Sequence, residues 1–225
     1  MQRIVARELM DDPVESLAEL EENLRDIAFV NAVFNGTKPV VRAIRASGAT
    51  SVLDVGSGLA DIPLALVRDA RRRRTEIRVT CLDQSEQMLA LAREATRDDP
   101  WLDFVHGEGE ALPYADDAFD VAMCNLALHH FEPPAAERLL RELRRVSKIT
   151  PVVCDMHRSR QAYIASRLWT LVATRNRLTR HDGPLSVRRS YTPLEAVTLA
   201  RGAGWNAPVL ETSAFFRMTL TDAPK

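Results

Sequence analysis

Short apolar runs and amphipathic stretches alternate along most of the chain, and this alternation predicts its elements. The apolar runs predict strands at about 51–55, 76–83, 103–106, 119–124 and 149–155. The amphipathic stretches predict helices at about 61–71, 85–97 and 133–146. Because strands that alternate with helices form a parallel sheet through right-handed crossovers, the pattern predicts a doubly wound α/β fold.

Both ends of the chain carry further predicted elements. Residues 15–35 have apolar side chains at helical spacing, Asn35-Gly36 ends this helix, and Pro39 fits the first turn of a second one. The C-terminal part predicts a helix at 160–180, a polar loop at 181–191, a helix from Thr192, and strands at about 208–213 and 215–220.

Composition adds several exclusions to this picture. The chain has 225 residues, 46% of them hydrophobic, and a net charge of −1, so we expect one globular domain with no attraction to nucleic acid. Neither a bilayer-spanning apolar run nor a signal-peptide core is present, which predicts a cytoplasmic protein. Cys81, Cys124 and Cys154 lie far apart and predict buried thiols, and no metal site is predicted.

The first strand runs directly into the turn Gly56-Ser57-Gly58, and the second strand ends on Asp83. Parallel strands that end side by side on a glycine turn and a carboxylate form a nucleoside pocket. Other polar residues also fall near predicted strand ends, namely Asp54, Glu108, Asn125 and Asp155. The sequence therefore predicts a ligand site at this edge of the sheet.

The glycine turn departs from the dinucleotide fingerprint G-x-G-x-x-G/A, because Asp61 occupies the last position. We expect Asp61 to cap the following helix and to occupy the N–H groups that would otherwise hold a pyrophosphate. With Asp54 close by, the pocket favours a nucleoside that carries a positive charge and no phosphate. S-adenosylmethionine has these properties.

At these residues the chain resembles the class I S-adenosylmethionine-dependent methyltransferases. The resemblance covers about residues 48–155 and rests on four motifs: Leu53-Asp54-Val55-Gly56-Ser57-Gly58, Leu82-Asp83-Gln84-Ser85-Glu86-Gln87-Met88, Gly107-Glu108-Gly109-Glu110-Ala111-Leu112-Pro113-Tyr114, and Phe119-Asp120-Val121-Ala122 with Leu128-His129-His130-Phe131. Ala60 replaces the third glycine of the usual turn, Glu108 replaces a more common Asp, and the usual glycines before the fifth strand are missing.

The resemblance implies a Rossmann-like, mostly parallel seven-stranded sheet with a C-terminal antiparallel hairpin and N-terminal lid helices. One methyltransferase domain would fill residues 1–225, with a helical lid at 1–47, a cofactor-binding core at 48–155, and an acceptor-side insertion with the closing strands at 156–225. The N-terminal helices could equally pack against the sheet edge.

Ten residues are candidates for cofactor binding. Asp83 would accept hydrogen bonds from the ribose hydroxyls, Glu108 and Gly109 would meet the adenine, and Asp54 and Asn125 would face the ammonium group. Met88 would pack on adenine or simply belong to the core. The whole set is Asp54, Gly56, Ser57, Gly58, Asp83, Gln84, Met88, Glu108, Gly109 and Asn125.

Methyl transfer to a hydroxyl also needs a group that removes its proton, and histidine is the usual candidate. We expect the base among His157, His130 and His129, which follow the fourth and fifth strands. In the resembled fold the 181–191 segment covers the acceptor, so His181, Arg189 and Tyr191 are candidate acceptor contacts; an ordinary surface connection is the alternative.

The predicted function is methylation of a small molecule, with oxygen of a phenolic, polyketide or quinone-like metabolite as the leading acceptor. The alternatives are C- or N-methylation, a protein that binds S-adenosylmethionine without turnover, and a nucleotide-dependent oxidoreductase, against which Asp61 argues. The sequence leaves open whether the chain forms a homodimer.

Overall fold

The computed structural model describes residues 1–9, 17–33 and 36–224, which fold around one mixed seven-stranded sheet. The strand order is β3-β2-β1-β4-β5-β7-β6, and β7 runs antiparallel to both of its neighbours. The strands are β1 (Ser51–Val55), β2 (Arg78–Asp83), β3 (Leu102–His106), β4 (Val121–Asn125), β5 (Val152–Met156), β6 (Val209–Ser213) and β7 (Arg217–Thr221). The predicted mostly parallel sheet with a C-terminal antiparallel hairpin is confirmed.

Helices connect β1 to β2, β2 to β3 and β4 to β5, as the alternating pattern predicts, whereas β3 leads to β4 through a loop. In the described ranges they are α1 (Leu17–Val33), α2 (Thr37–Ser47), α3 (Asp61–Arg73), α4 (Glu86–Thr96), α5 (Pro133–Val146), α6 (Arg160–Ala173), α7 (Arg177–Arg189) and α8 (Pro193–Gly202). None of these helices has the length and apolar composition that a bilayer-spanning segment requires, as far as the described residues go.

Two apolar cores cover the two faces of the sheet, because successive side chains of a strand point to opposite faces. Val52 packs with the residues of α2 and α3, whereas the adjacent Leu53 packs with those of α5 and α8. The three cysteines are buried free thiols, as predicted. The cores fix β1 rigidly between β2 and β4, and this places the polar residues at the ends of these strands next to one another.

The start of α3 differs from the prediction. Ala60 is the N-cap residue, with a left-handed φ of 56°, and Asp61 is the first residue of the helix. The prediction that Asp61 caps α3 is therefore wrong. Ala60 donates its N–H to Ser57 O at 2.8 Å, and this turn brings the chain into the helix at Asp61. The Asp61 carboxylate still lies at the positive end of α3, where a negative charge is favoured.

The segment 181–191 is helical as far as Arg189, so the predicted polar loop is wrong, and the predicted 160–180 helix is divided between α6 and α7. Asn176 starts α7 by accepting the Thr179 N–H on its side chain. The polar composition of this segment indicated a loop, but its polar side chains are buried against the N-terminal segment of the chain. Asp182 accepts the Leu9 N–H at 2.9 Å, and Ser186 donates to Glu8 at 2.8 Å.

The two N-terminal helices have different roles. Helix α1 packs on α7 and lines the cavity at the strand ends with Leu20, Leu24 and Ile27. Helix α2 packs on α3 and β5. Of the two predicted alternatives, α1 therefore has the position of a lid, and α2 packs against the sheet. The predicted end of the first helix at Asn35 lies outside the described residues.

Candidate cofactor and acceptor site

A cavity of about 990 Å³ opens at the carboxyl ends of β1, β2 and β4. The strand order reverses between β1 and β4, and ligands of open α/β sheets bind at such a point. We call it the strand-end cavity. The sequence-predicted residues that line it are Gly56, Ser57, Gly58, Asp83, Gln84, Met88, Glu108, Gly109, Asn125, His130 and Arg189.

The Asp83 side chain accepts two backbone N–H groups, one of which comes from the glycine turn. Asp83 accepts the Gly58 N–H on Oδ2 and the Ser85 N–H on Oδ1, both at 3.0 Å. Gly56 has a φ of +73°, and a Cβ there would lie 2.8 Å from the Cβ of Ala127. The turn itself therefore excludes a side chain at Gly56 before any ligand does. The Asp83 carboxylate holds the turn open while its edge faces the cavity.

Three carboxylates, Asp54, Asp61 and Asp83, lie close together around the glycine turn. Asp54 is buried beneath the cavity, and burial, followed by the charges of Asp61 and Asp83, raises its pKa well above the ordinary value. Of the six buried side-chain polar atoms that lack a hydrogen-bond partner among the described residues, three lie at the ends of β1 and β4: Asp54 Oδ1, Ser57 Oγ and Asn125 Oδ1. Buried polar atoms are normally paired, so these oxygens point to a ligand with hydrogen-bond donors or a positive charge.

The predicted adenine side is formed by exposed and buried residues together. Glu108 is exposed at the cavity rim. Gly109 lies against the core, because a Cβ there would come within 2.8 Å of Val55 Cγ1 and 3.0 Å of Leu139 Cδ1. Met88 lines the cavity and also belongs to a small apolar cluster with Leu20, so both of its predicted roles are compatible with the structure.

The three candidate histidines lie in different surroundings. Among the described residues, His130 is the one of the three that lines the strand-end cavity. His129 is buried, and its Nδ1 lies 2.8 Å from Asp155 Oδ1. Burial alone would raise the pKa of Asp155, but the contact with His129 and backbone N–H donors keep it below the ordinary value. His157 packs its ring edge-on against Phe216, and burial lowers its pKa.

The predicted acceptor contacts are similarly divided. Arg189 lines the cavity and donates from Nη2 to His130 O at 3.0 Å. Tyr191 is buried, and its hydroxyl donates to Phe131 O at 2.7 Å. His181 is largely exposed and lies 2.7 Å from Asp182 Oδ1. The structure therefore brings Arg189 to His130 and keeps His181 away from both.

The N-terminal segment, residues 1–9, contributes to the site in a way that the sequence pattern did not indicate. Arg3 donates to Arg189 O at 2.6 Å and to Phe131 O at 2.8 Å, and residues 3–7 line the cavity. Glu8 is 2% exposed and lies between His129, His130 and Arg189. One acid in a short segment without helical or strand periodicity resembles any surface residue, so no signal marked Glu8.

Comparison with known proteins agrees with this geometry. A family profile described as "Methyltransferase domain" matches residues 53–150, which span β1 to the loop before β5. A curated relative, the demethylmenaquinone methyltransferase of Thermotoga maritima, is 32% identical over 111 residues, or 49% of this chain and 44% of the relative. The matched segment thus spans less than half of that relative's length.

Solved structures share the fold over a larger part of the chain. A putative O-methyltransferase from Nostoc punctiforme has a TM-score of 0.68 at 16% identity and covers 100% of this chain and 64% of its own. Magnesium protoporphyrin IX methyltransferase from Synechocystis, with bound S-adenosylhomocysteine (SAH), has a TM-score of 0.62 at 14% identity. The alignment covers 95% of this chain and 90% of the Synechocystis chain.

The profile match is consistent with the structure of the site. The supporting features are the strand order, the glycine turn, the acid at the end of β2 and the buried oxygens without partners among the described residues. Residues 53–150 carry a methyltransferase domain, and the chain has the fold of S-adenosylmethionine-dependent methyltransferases of class I.

Proposed function

We propose that this protein transfers a methyl group from S-adenosylmethionine to oxygen of a small phenolic, polyketide or quinone-like acceptor. The observation that carries the proposal is that the polar residues of the glycine turn and the imidazole of His130 line the same cavity. The printed name of the Thermotoga relative, a demethylmenaquinone methyltransferase, supports a quinone-like acceptor. A relative from Rickettsia akari, 36% identical over 100 residues, is named a C-methyltransferase, and this name favours carbon as the second candidate for the methylated atom.

The residues at the polar end fit the cofactor. The backbone of Gly56-Ser57-Gly58 allows close approach, and the Asp83 carboxylate would accept from the ribose hydroxyls. Asn125 Oδ1, which lines the cavity and lacks a partner among the described residues, would meet the ammonium group, and Asp54, buried beneath the cavity, would favour that group through its negative charge. Glu108 and Gly109 would meet the adenine. The bound cofactor supplies a methyl group on a sulfonium, which is intrinsically reactive toward nucleophiles.

The rest of the cavity fits an acceptor of limited size. The whole cavity, including the cofactor end, has a volume of about 990 Å³, which lies at the upper end of the range for sites that enclose small ligands. Leu20, Leu24 and Ile27 of α1 provide an apolar wall, and Phe131 lies on the side of His130. An aromatic acceptor would bury its ring against this wall and present its hydroxyl to the polar side.

Alignment and exclusion of water supply much of the acceleration when the methyl donor is already reactive. The N-terminal segment and α1 cover the cavity, so they would exclude water and hold the acceptor in line. We assign activation of the acceptor hydroxyl to His130, because it lines the cavity whereas His129 is buried behind it and His157 lies against Phe216.

The proposal is tested by calorimetry with SAH and by incubation with radiolabelled S-adenosylmethionine and a panel of phenols and quinols. We expect SAH binding at tens of micromolar or below and label transfer to at least one acceptor. Binding without transfer to any acceptor would favour a binding protein, transfer to carbon or nitrogen would exclude O-methylation, and no SAH binding would reject the proposal.

The raised pKa of Asp54 gives a prediction for stability. A carboxyl whose pKa is higher in the folded protein stabilises the fold below its unfolded pKa, and this contribution is lost as the pH rises through the folded pKa. At neutral pH we therefore expect Asp54→Asn to raise the Tm of the ligand-free protein by about 2–4 °C, the shift that ~1 kcal/mol produces at this size. The gain should shrink as the pH is lowered toward the ordinary pKa of Asp.

The same variant should bind SAH more weakly, because the negative charge beneath the cavity that favours the ammonium group of SAH would be lost. Thermal unfolding at several pH values and calorimetry check the two expectations together. Asp103→Asn, which changes an exposed carboxylate on β3, is the matched control and should alter neither quantity. An Asp54→Asn protein with a lower Tm at neutral pH and unchanged SAH affinity would contradict the proposed role.

A further inference from the structure

One carboxylate and two imidazoles converge beside the strand-end cavity. Glu8 comes from the N-terminal segment, and His129 and His130 come from the short turn after β4. Glu8 and His129 are 2% and 3% exposed, and His130 lines the cavity. One nitrogen or oxygen atom of each side chain lies within 4.8 Å of the corresponding atoms of the other two.

The separations in this cluster are too long for hydrogen bonds. His129 Nε2 lies 3.7 Å from Glu8 Oε1, and His130 Nε2 lies 3.8 Å from Glu8 Oε2. Two bonds of about 2.0–2.2 Å to a common zinc-like ion would place the two ligand atoms no more than about 4 Å apart. These two contacts involve different oxygens of Glu8, and one ligand atom of each side chain lies within 4.8 Å of the other two, so binding of an ion would move the ligand atoms inward by less than about 1 Å.

Outer contacts hold two of these side chains in the orientation that coordination needs. Asp155 lies 2.8 Å from His129 Nδ1 and also accepts the His129 backbone N–H at 3.0 Å, which turns His129 Nε2 toward Glu8. Ser186 donates to Glu8 Oε1 at 2.8 Å. A carboxylate behind a histidine is the usual outer partner of a metal-bound imidazole.

The ligand atoms and the charges around the cluster indicate which class of ion it could bind. Arg189 Nη1 lies 3.5 Å from Glu8 Oε1, and Arg3 donates to the carbonyls of His129 and Phe131, so these cations offset the charges of Glu8 and Asp155. Hard cations such as Mg²⁺ and Ca²⁺ depend on several oxygen ligands, which this cluster lacks within the described residues. Two imidazole nitrogens and one carboxylate suit zinc and similar transition metals.

We infer that Glu8, His129 and His130 bind a divalent transition-metal ion of the zinc class. Three protein ligands leave a further position, and His130 places it at the cavity. The inference deepens the proposed function and rests on it in one respect: an acceptor hydroxyl that coordinates the ion would lose its proton more readily. His130 would then activate the acceptor through the ion.

Co²⁺ is the probe for this site, because its visible absorption reports its coordination. After treatment with a chelator, the protein should bind one Co²⁺ per chain and show visible absorption bands, and Zn²⁺ should displace the Co²⁺. The near-ultraviolet thiolate absorption that a site at the buried cysteines would give should be absent. Glu8→Gln and His130→Gln should each weaken binding at least about tenfold. His106→Gln, an exposed histidine outside the cluster, is the control and should bind as the parent protein does.

The readout is separate from activity. Absence of saturable Co²⁺ and Zn²⁺ binding at tens of micromolar, or binding that Glu8→Gln and His130→Gln both leave intact, would overturn the inference. Circular dichroism shows whether each variant is folded, and Glu8→Asp, which keeps the carboxylate, should retain more affinity than Glu8→Gln. SAH calorimetry on the same samples distinguishes the two proposals: SAH binding without metal binding rejects only the metal, and metal binding without SAH binding rejects the proposed function.

Discussion

Replacement of Asp83 by alanine is expected to weaken SAH binding by at least ~100-fold. Asp83 would lose its hydrogen bonds to the ribose hydroxyls, and bonds to a charged group are worth about 1.5–3 kcal/mol each. The same carboxylate also accepts the Gly58 and Ser85 N–H groups, so alanine would leave these two donors without their partner and loosen the glycine turn. Calorimetry with SAH measures the loss.

Two further variants separate these contributions. Asp83→Asn keeps an acceptor for one backbone N–H but removes the charge, so its affinity should lie between those of the parent and Asp83→Ala. Asp103→Ala removes an exposed carboxylate from the neighbouring strand β3 and should bind SAH normally. If folded Asp83→Ala protein bound SAH as tightly as the parent, Asp83 would have no role in cofactor binding.

Replacement of His130 by glutamine is expected to lower kcat by about 10²–10⁴-fold while SAH binding stays close to that of the parent, because acid–base groups contribute on this scale. His130 lines the cavity on the side of Phe131 and Arg189, whereas the cofactor-binding candidates gather at the glycine turn. Single-turnover transfer with the acceptor found in the panel measures the chemical step. The loss is expected whether His130 takes the proton itself or acts through a bound ion.

His157→Gln is the competing variant, since His157 was predicted from the sequence as strongly as His130. Its side chain packs against Phe216, so we expect a much smaller loss of kcat than for His130→Gln. A loss at His157 that equals or exceeds the loss at His130 would transfer the assignment to His157. Retained kcat in His130→Gln would show that neither proton removal nor coordination by this imidazole limits the reaction.

The cofactor side of the site was predicted largely from local signals. A strand, a glycine turn and an acid at the next strand end are contiguous in sequence, and parallel pairing of β1 with β2 brings Gly58 to Asp83. The structure shows this contact between Gly58 and Asp83. It differs from the prediction at the start of α3, where Ala60 and not Asp61 is the N-cap residue. Asp54 was expected to order the glycine turn and to face the ammonium group; it is buried and is not among the residues that line the cavity.

The acceptor side was less predictable because its residues meet only through long-range packing. Polar residues at 181–191 indicated a loop, yet α7 buries Asp182 and Ser186 against the N-terminal segment. Periodicity reports how a helix faces an apolar core, and it fails where the buried partner is itself polar. His130 and His157 were the favoured candidates for the base, with His129 as the third, and of these three His130 is the one that lines the cavity among the described residues.

The sequence alone determined the order of strands and helices and the cofactor edge of the sheet, because alternation of apolar residues and the glycine turn are properties of neighbouring residues. Tertiary structure alone decided which histidine faces the cavity and that Glu8 lies beside it. Those contacts depend on how the N-terminal segment, the turn after β4 and α7 pack together, and no local pattern encodes the meeting of three segments so far apart in the chain.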